Sequence, residues 1–266
     1  MLVLFLLPLG IMAAYTFRLG TFGERADIFT LDHYRDFFTN SAYLRLLGRS
    51  MLISLWVSCL TVLLAYPVAY HLSFRGGRAR LTLLTLLIVP AWVSYLLRVL
   101  SWKVILGSSG ALASLLAWLG LIEGELPILL YNPSAVIITL VYVWIPFVSL
   151  PIFAALERID RPLLEAAADL GAARWEAFLR VTLPLSLPGV LAGFLFVFIP
   201  TVGEYVTPAL VGGIQGVMFG NIIQDQFLRA LNWPYGSVMS LAMLAAILAP
   251  LFLFSRLVRL SDLGGF

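Results

Sequence analysis

Six stretches of this sequence run for 17 to 25 residues without a single charged side chain: 1–17, 50–70, 81–97, 134–156, 181–203 and 231–255. A helix rises about 1.5 Å per residue, so about 20 residues cross a hydrocarbon core about 30 Å thick. Each run can span. With 61% of its 266 residues hydrophobic and 12% charged, the chain is too apolar for an ordinary water-soluble domain. The expectation is an all-α membrane protein with six transmembrane helices.

A seventh uncharged run, 104–122, would invert everything after it, but Gly107-Ser-Ser-Gly110 interrupts it. What remains, 111–122, has the length of an interfacial or re-entrant segment. The first run has no basic residue ahead of it and no small-x-small cleavage site behind it, so it reads as a retained helix and not as a signal peptide. Cys59 is the sole cysteine, which excludes an intrachain disulfide or a cysteine metal cluster. The net charge of +3 is too small to argue for nucleic acid. His33 and His71 have no acid or hydroxyl arranged with them for catalysis, no zinc spacing is present, and no Walker-type phosphate loop occurs. Catalytic residues and metal ligands are therefore both expected to be none.

Basic residues set the expected sidedness. With an inside N-terminus, nine lie on short inner segments, among them the compact "RGGRAR" turn, and eight lie on longer outer segments. That density places both termini inside. The outer stretch "ERADIFTLDHYRDFFTNSAYLRLLGRS" spaces its aromatic and leucine residues as if to lie on the membrane surface and cap later helices. Prolines recur within the spans, at Pro67, Pro90, Pro146, Pro151, Pro200 and Pro250, and predict bends. Such prolines break soluble helices at about 3 kcal/mol, but packed membrane helices tolerate them. Gly189 and Gly193 form a small-xxx-small pair for close helix packing.

The other inner segment is long and polar. In "EAAADLGAARWEAFLRVTLPLSLPGV", starting at Glu165, the apolar residues Leu163, Ala167 and Leu170 fall on one face of a first short helix that Gly171 ends. Trp175, Phe178 and Leu179 fall on one face of a second helix, before Pro184. The two make an elbow.

This stretch resembles the EAA loop of the inner-membrane permease subunits of binding-protein-dependent ABC importers. Glu165-Ala166-Ala167, three residues, Gly171, nine residues and Val181-Thr-Leu183-Pro184 follow that motif with only valine in place of isoleucine. The resemblance implies a MetI-like permease core over residues 49–260, containing the EAA loop at 165–184, with residues 1–48 supplying one added N-terminal helix and an outer polar segment. It implies that Glu165, Ala166, Ala167, Asp169, Gly171, Leu183 and Pro184 couple the chain to a cytoplasmic ATPase. The small alanines would allow close approach, Glu165 and Asp169 would suit the N-terminal part of the helix, and Gly171 would make the corner.

The same resemblance implies a second related permease, two ATPase subunits and an extracytoplasmic binding protein as partners, in a bacterial inner membrane. Cofactors are then none in this subunit, ATP and Mg being bound by the ATPase. The stretches "YLLRVLSWKVILGSSGALASLLAWLGL", "VWIPFVSLPIFAALERID", "GEYVTPALVGG", "GNIIQDQF" and "NWPYG" are similar to spermidine/putrescine permeases, most of all their first subunit. Importers of an aminophosphonate, ferric iron or sulfate share parts of them, and a non-transporting scaffold is the reading from another class. For a polyamine, carboxylates and aromatic faces are the suitable lining. Glu204 with Tyr205, Tyr95, Trp102 and Trp144 are the candidate pathway residues. Arg98 opposes a bare cation route unless it is paired.

Overall fold

The computed structural model describes residues 2–23, 27–121 and 129–263. Among them helix is the only regular structure beyond one isolated bridge between Arg18 and Phe29. The helices are α1 (Leu2–Tyr15), α2 (Asp32–Thr39), α3 (Ser41–Phe74), α4 (Arg80–Ile88), α5 (Tyr95–Ile105), α6 (Ala111–Trp118), α7 (Pro133–Leu156), α8 (Arg161–Asp169), α9 (Arg174–Ala177), α10 (Leu183–Val202), α11 (Phe219–Leu228) and α12 (Trp233–Leu263).

Four helical runs are long and apolar enough to cross a membrane: Ser41–Phe74, Pro133–Leu156, Arg174–Val202 and Trp233–Phe252. A fifth crossing is reached when a bent pair, Gly77–Trp92 with Tyr95–Ile105, counts as one span. The run at 1–17 is present as α1, an apolar helix of 14 residues and so about 21 Å long.

The span expected over 81–97 is this bent pair, with the bend at Pro90 where a proline predicted one, and the helix is broken there. Its two halves meet at 90°. Pro90 cannot donate a main-chain hydrogen bond, so α4 tightens into a 3₁₀ turn at Val89–Trp92. Val93 and Ser94 are then extended, with ψ of 141° and 133°, before α5 begins. The other prolines behave differently. Helices α3, α7, α10 and α12 run unbroken through Pro67, Pro146 and Pro151, Pro188 and Pro200, and Pro250. The interruption at Gly107–Gly110 falls where expected, and α6 follows it. Ile122, the last residue of that expected segment, lies outside the described residues.

The chain packs as two compact units. One comprises Met1–Met51, Val202–Tyr205 and Met218–Phe266, and the other Leu52–Thr201 and Val206–Val217. In the first, the aromatic segment that includes α2 covers later helices as its spacing predicted. Phe37 on α2 is fully buried in a cluster with Leu47, Phe219, Tyr235, Val238 and Met239. Its ring meets that of Phe219 edge-on at 6.1 Å. The Tyr34 hydroxyl donates to Thr16 Oγ1 at 2.9 Å, and His33 contacts the Leu19 carbonyl at 3.2 Å.

In the second unit, close packing depends on small residues. A Cβ on Gly189 would lie 2.5 Å from both the Ala155 Cβ and the Pro151 carbonyl oxygen, and one on Gly193 would lie 3.0 Å from Val148 Cγ1. Lipid tails are as apolar as leucine, so helices associate through such fit and not through hydrophobic exclusion. Hydroxyls inside the helices bond back to their own backbone: Ser58 to Ser54 and Thr61 to Val57, each at 2.7 Å, and Ser149 to Ile145 at 2.8 Å. Even the most enclosed span, α7, buries only 50% of its apolar window. The remainder is left for lipid or other chains.

Gly189→Ala is expected to separate α7 from α10 at a cost of about 1–3 kcal/mol, read as a lower thermal midpoint of the detergent-solubilised protein. Gly48→Ala, where nothing lies within 4 Å, is expected to leave that midpoint in place.

Candidate functional site

The polar stretch between α7 and α10 folds from two local signals. Pro162 sits in the first turn of α8, where its missing N–H is not needed. Gly171, at φ +83°, then closes the helix. Its N–H donates to the Ala168 carbonyl at 2.9 Å and the Ala172 N–H to the Ala167 carbonyl at 3.0 Å, the two bonds of a Schellman turn. Two of the three alanines thus build the corner with their carbonyls. On its far side Glu176 Oε2 accepts from the Ala173 N–H at 3.0 Å and starts α9.

Two expectations are corrected here. Asp169 is the last residue of α8, because the helix begins at Arg161; the dipole there disfavours a carboxylate, and Asp169 gains no N-terminal benefit. The second short helix does not stop before Pro184. Arg174 to Val202 form one continuous run of 29 residues. Pro184 has no N–H for the Arg180 carbonyl and would crowd it in a regular helix. The chain widens instead into a π turn at Phe178–Thr182, with the Leu183 N–H reaching back to the Phe178 carbonyl.

The elbow is exposed. Glu165, Ala166, Asp169 and Gly171 lie on the surface and Ala167 is half-buried. The two leucines of the apolar stripe predicted for α8 stay open among the described residues: Leu163 is 48% and Leu170 88% exposed. Trp175 on α9 is 67% exposed. A cleft of about 270 Å³ opens between the two short helices, lined by Ala167, Leu170, Gly171, Ala172, Glu176, Ala177, Arg180 and Val181.

Opposite that exposed side, the elbow is locked to α3. The Phe178 ring meets Tyr66 and Tyr70 edge-on at 5.8 and 6.0 Å and stacks on Trp175 at 5.7 Å. Tyr66 Oη and Ser186 Oγ are 2.8 Å apart, and Ser186 Oγ lies 3.1 Å from the Leu183 carbonyl. Leu183 is half-buried and Pro184 exposed. Nearby, Glu157 at the end of α7 pairs with Arg80 and accepts from Ser73 Oγ at 2.7 Å. Arg80 also lies 4.7 Å over the Phe153 ring. Sequence reading missed Phe178's socket. Its only signal was two tyrosines one helical turn apart.

The candidate pathway residues fall into separate settings. The Tyr95 hydroxyl is 2.6 Å from Thr207 Oγ1, which ties α5 to the π turn at Pro208–Gly212. Trp102 lies 5.4 Å from Tyr142, beside the buried Arg98. Trp144 belongs to a trio with Phe147 and Phe196, at 5.7 and 6.1 Å. Within the other unit, Glu204 is half-buried and Tyr205 is 42% exposed, in the turn after α10. That turn is clamped by residues not singled out from sequence. Asn221 Nδ2 donates to the Tyr205 carbonyl at 2.7 Å while its Oδ1 accepts from the Met218 N–H at 3.0 Å. A Cβ on Gly220 would sit 2.4 Å from the Gly203 carbonyl oxygen.

Comparison with known proteins places these features in context. The family model described as "Binding-protein-dependent transport system inner membrane component" matches residues 60–263. The spermidine/putrescine transport system permease protein PotB of Escherichia coli (strain K12) is 38% identical over 233 residues, 88% of this chain and 84% of that protein. Its namesake in Haemophilus influenzae is 37% identical over 231 residues, 87% and 80% of the two chains. Among solved structures, a bacterial ABC transporter involved in the import of the acidic polysaccharide alginate matches with a TM-score of 0.72 at 18% identity, covering 97% of this chain and 90% of that one. At that identity the match shows the fold alone.

Gly171→Val is expected to cost about 1–3 kcal/mol at the corner, because a β-branched residue resists positive φ. Spin labels at positions 166 and 177 are expected to show a broadened distance distribution in the variant and a narrow one in the parent.

Proposed function

Because the chain belongs to the family of binding-protein-dependent transport system inner membrane components, we propose that it is a permease subunit of an ATP-driven importer carrying spermidine or putrescine. The relatives named for that cargo, 38% and 37% identical over most of the chain, support the cargo class. The coupling role is carried by one observation: a Schellman-closed elbow, exposed through Leu170 and Trp175, that runs without a break into a membrane helix.

In this reading, the cleft between α8 and α9 receives an ATPase subunit, which holds ATP and Mg. Burying a leucine as exposed as Leu170 in such a contact contributes about 1.5–3 kcal/mol. Residues 49–260 form the core and 1–48 an added helix with its outer segment, completing six spans. The elbow and both termini are cytoplasmic. A second, related permease supplies the other half of the pathway, and a binding protein delivers cargo to the outer face.

Nucleotide-driven closure of the ATPases displaces α8 and α9. Phe178, held by Tyr66 and Tyr70, carries that displacement into α3 as well as α10. The pathway between the two permeases then alternates its access. Glu204 and Tyr205 in one unit offer a carboxylate and an aromatic face, and Tyr95, Trp102 and Trp144 in the other offer aromatic faces, of the kind ammonium groups prefer.

Two measurements test the reading in vesicles containing the whole complex. ATP-dependent uptake of labelled spermidine or putrescine is expected; transport of another solute with neither polyamine carried would refute the cargo. Leu170→Asp is expected to lower uptake at least tenfold and to release the ATPase from the purified complex. Retention of both would refute the coupling surface.

A further inference from the structure

The helix break at Pro90–Ser94 has a cavity beside it that shares only Trp102 with the pathway candidates. It measures about 240 Å³ and is lined by Pro90, Val93, Arg98, Ser101, Trp102, Ile105 and Tyr142. Arg98 is only 8% exposed. Its Nη1 donates to the Val143 carbonyl at 3.3 Å, while its buried Nε donates to nothing among the described residues. The Trp102 indole N–H and the Tyr142 hydroxyl likewise have no hydrogen bond among those residues. No acid lines the cavity.

Depth makes this arrangement consequential. The nine residues of α4 and the four of the tight turn after it rise about 20 Å, less than a hydrocarbon core of about 30 Å. A span that enters at Gly77 carries the guanidinium within the membrane, where charged side chains pair with an opposite charge, backbone carbonyls or water. The 11-residue helix α5 starts at Tyr95, and its N-terminal dipole adds to the positive potential. Arg98 Nε, the Trp102 indole N–H and the Tyr142 hydroxyl can each donate into the cavity, and with a buried guanidinium and no acid in the lining the charge balance suits an anion.

Size and rim narrow the ligand. Pockets for whole small molecules usually exceed about 300 Å³; this one fits a single anionic group. Around it the same elements expose apolar side chains, Trp92 at 83%, Leu97 at 56% and Val104 at 71%. An anionic group attached to hydrocarbon meets both conditions. We propose that the Arg98 cavity binds the phosphodiester of a membrane phospholipid, with Arg98 Nε, Trp102 and Tyr142 donating to its oxygens and the acyl chains lying along the exposed face of α5. The site holds the 90° bend between α4 and α5 in place and is independent of which cargo the chain carries.

Native mass spectrometry of the assembled complex, offered dioleoylphosphatidylglycerol in detergent, tests this. The parent complex is expected to keep one more phospholipid per chain than Arg98→Gln, and Tyr142→Phe to weaken retention several-fold. If Arg98→Gln does not assemble, Tyr142→Phe decides alone, since it removes one hydroxyl and leaves the ring. Equal retention in parent and variants overturns the proposal. Displacement of the lipid by inorganic phosphate overturns it in favour of a free-anion site. A crosslink from the cavity to a carboxylate of the second permease, with no lipid retained, overturns it in favour of a subunit contact.

Discussion

Inside a bilayer no water is available to satisfy a stray main-chain N–H or carbonyl, and this single constraint governs where the chain stays helical and where it turns. Each unsatisfied group costs several kcal/mol, so every proline needs a local remedy. The remedies differ. Ahead of Pro184 the helix widens into a π turn and continues. At Pro90 it tightens, extends for two residues and restarts at a right angle. Hydroxyls such as those of Ser58, Thr61 and Ser149 bond to carbonyls one turn back, which hides them from lipid without breaking the rod.

How much of this was legible in the sequence follows from the same physics. Charge-free length located α3, α7, α10 and α12, because spanning demands it. Gly171 announced its own corner, since a positive φ in an alanine-rich stretch calls for glycine, and the exposed Leu163–Leu170 stripe was visible as helical periodicity. Pro90 and Pro184 were not separable by sequence: both sit in apolar runs, and only packing decides whether a proline bends the chain or is absorbed. The extent of α9 was hidden for that reason. The position of Asp169 was misjudged because Pro162, which marks the start of α8, was not weighed.

The pathway candidates show a different limit. Aromatic residues near span ends were read for their chemistry, yet Tyr95 is engaged with Thr207, and Trp144 stacks among phenylalanines. Their partners lie 112 and 52 residues away in sequence at the furthest, beyond the reach of any local pattern. The same holds for Asn221, which ties down the turn carrying Glu204 and Tyr205 and whose role needs a partner 16 residues away.

The uninterrupted helix from Arg174 to Val202 sets a scale for motion. Its 29 residues measure about 43 Å at the usual rise. Pivoting near one end, it works as a lever arm: a tilt of about 5° moves the far tip by about 4 Å, roughly one side chain's width. In the proposed cycle such a swing at the Val202 end reaches the carboxylate two residues further on, and the neighbours that grip the beam, Tyr66 and Tyr70 at Phe178 and α7 at Gly189, have to travel with it.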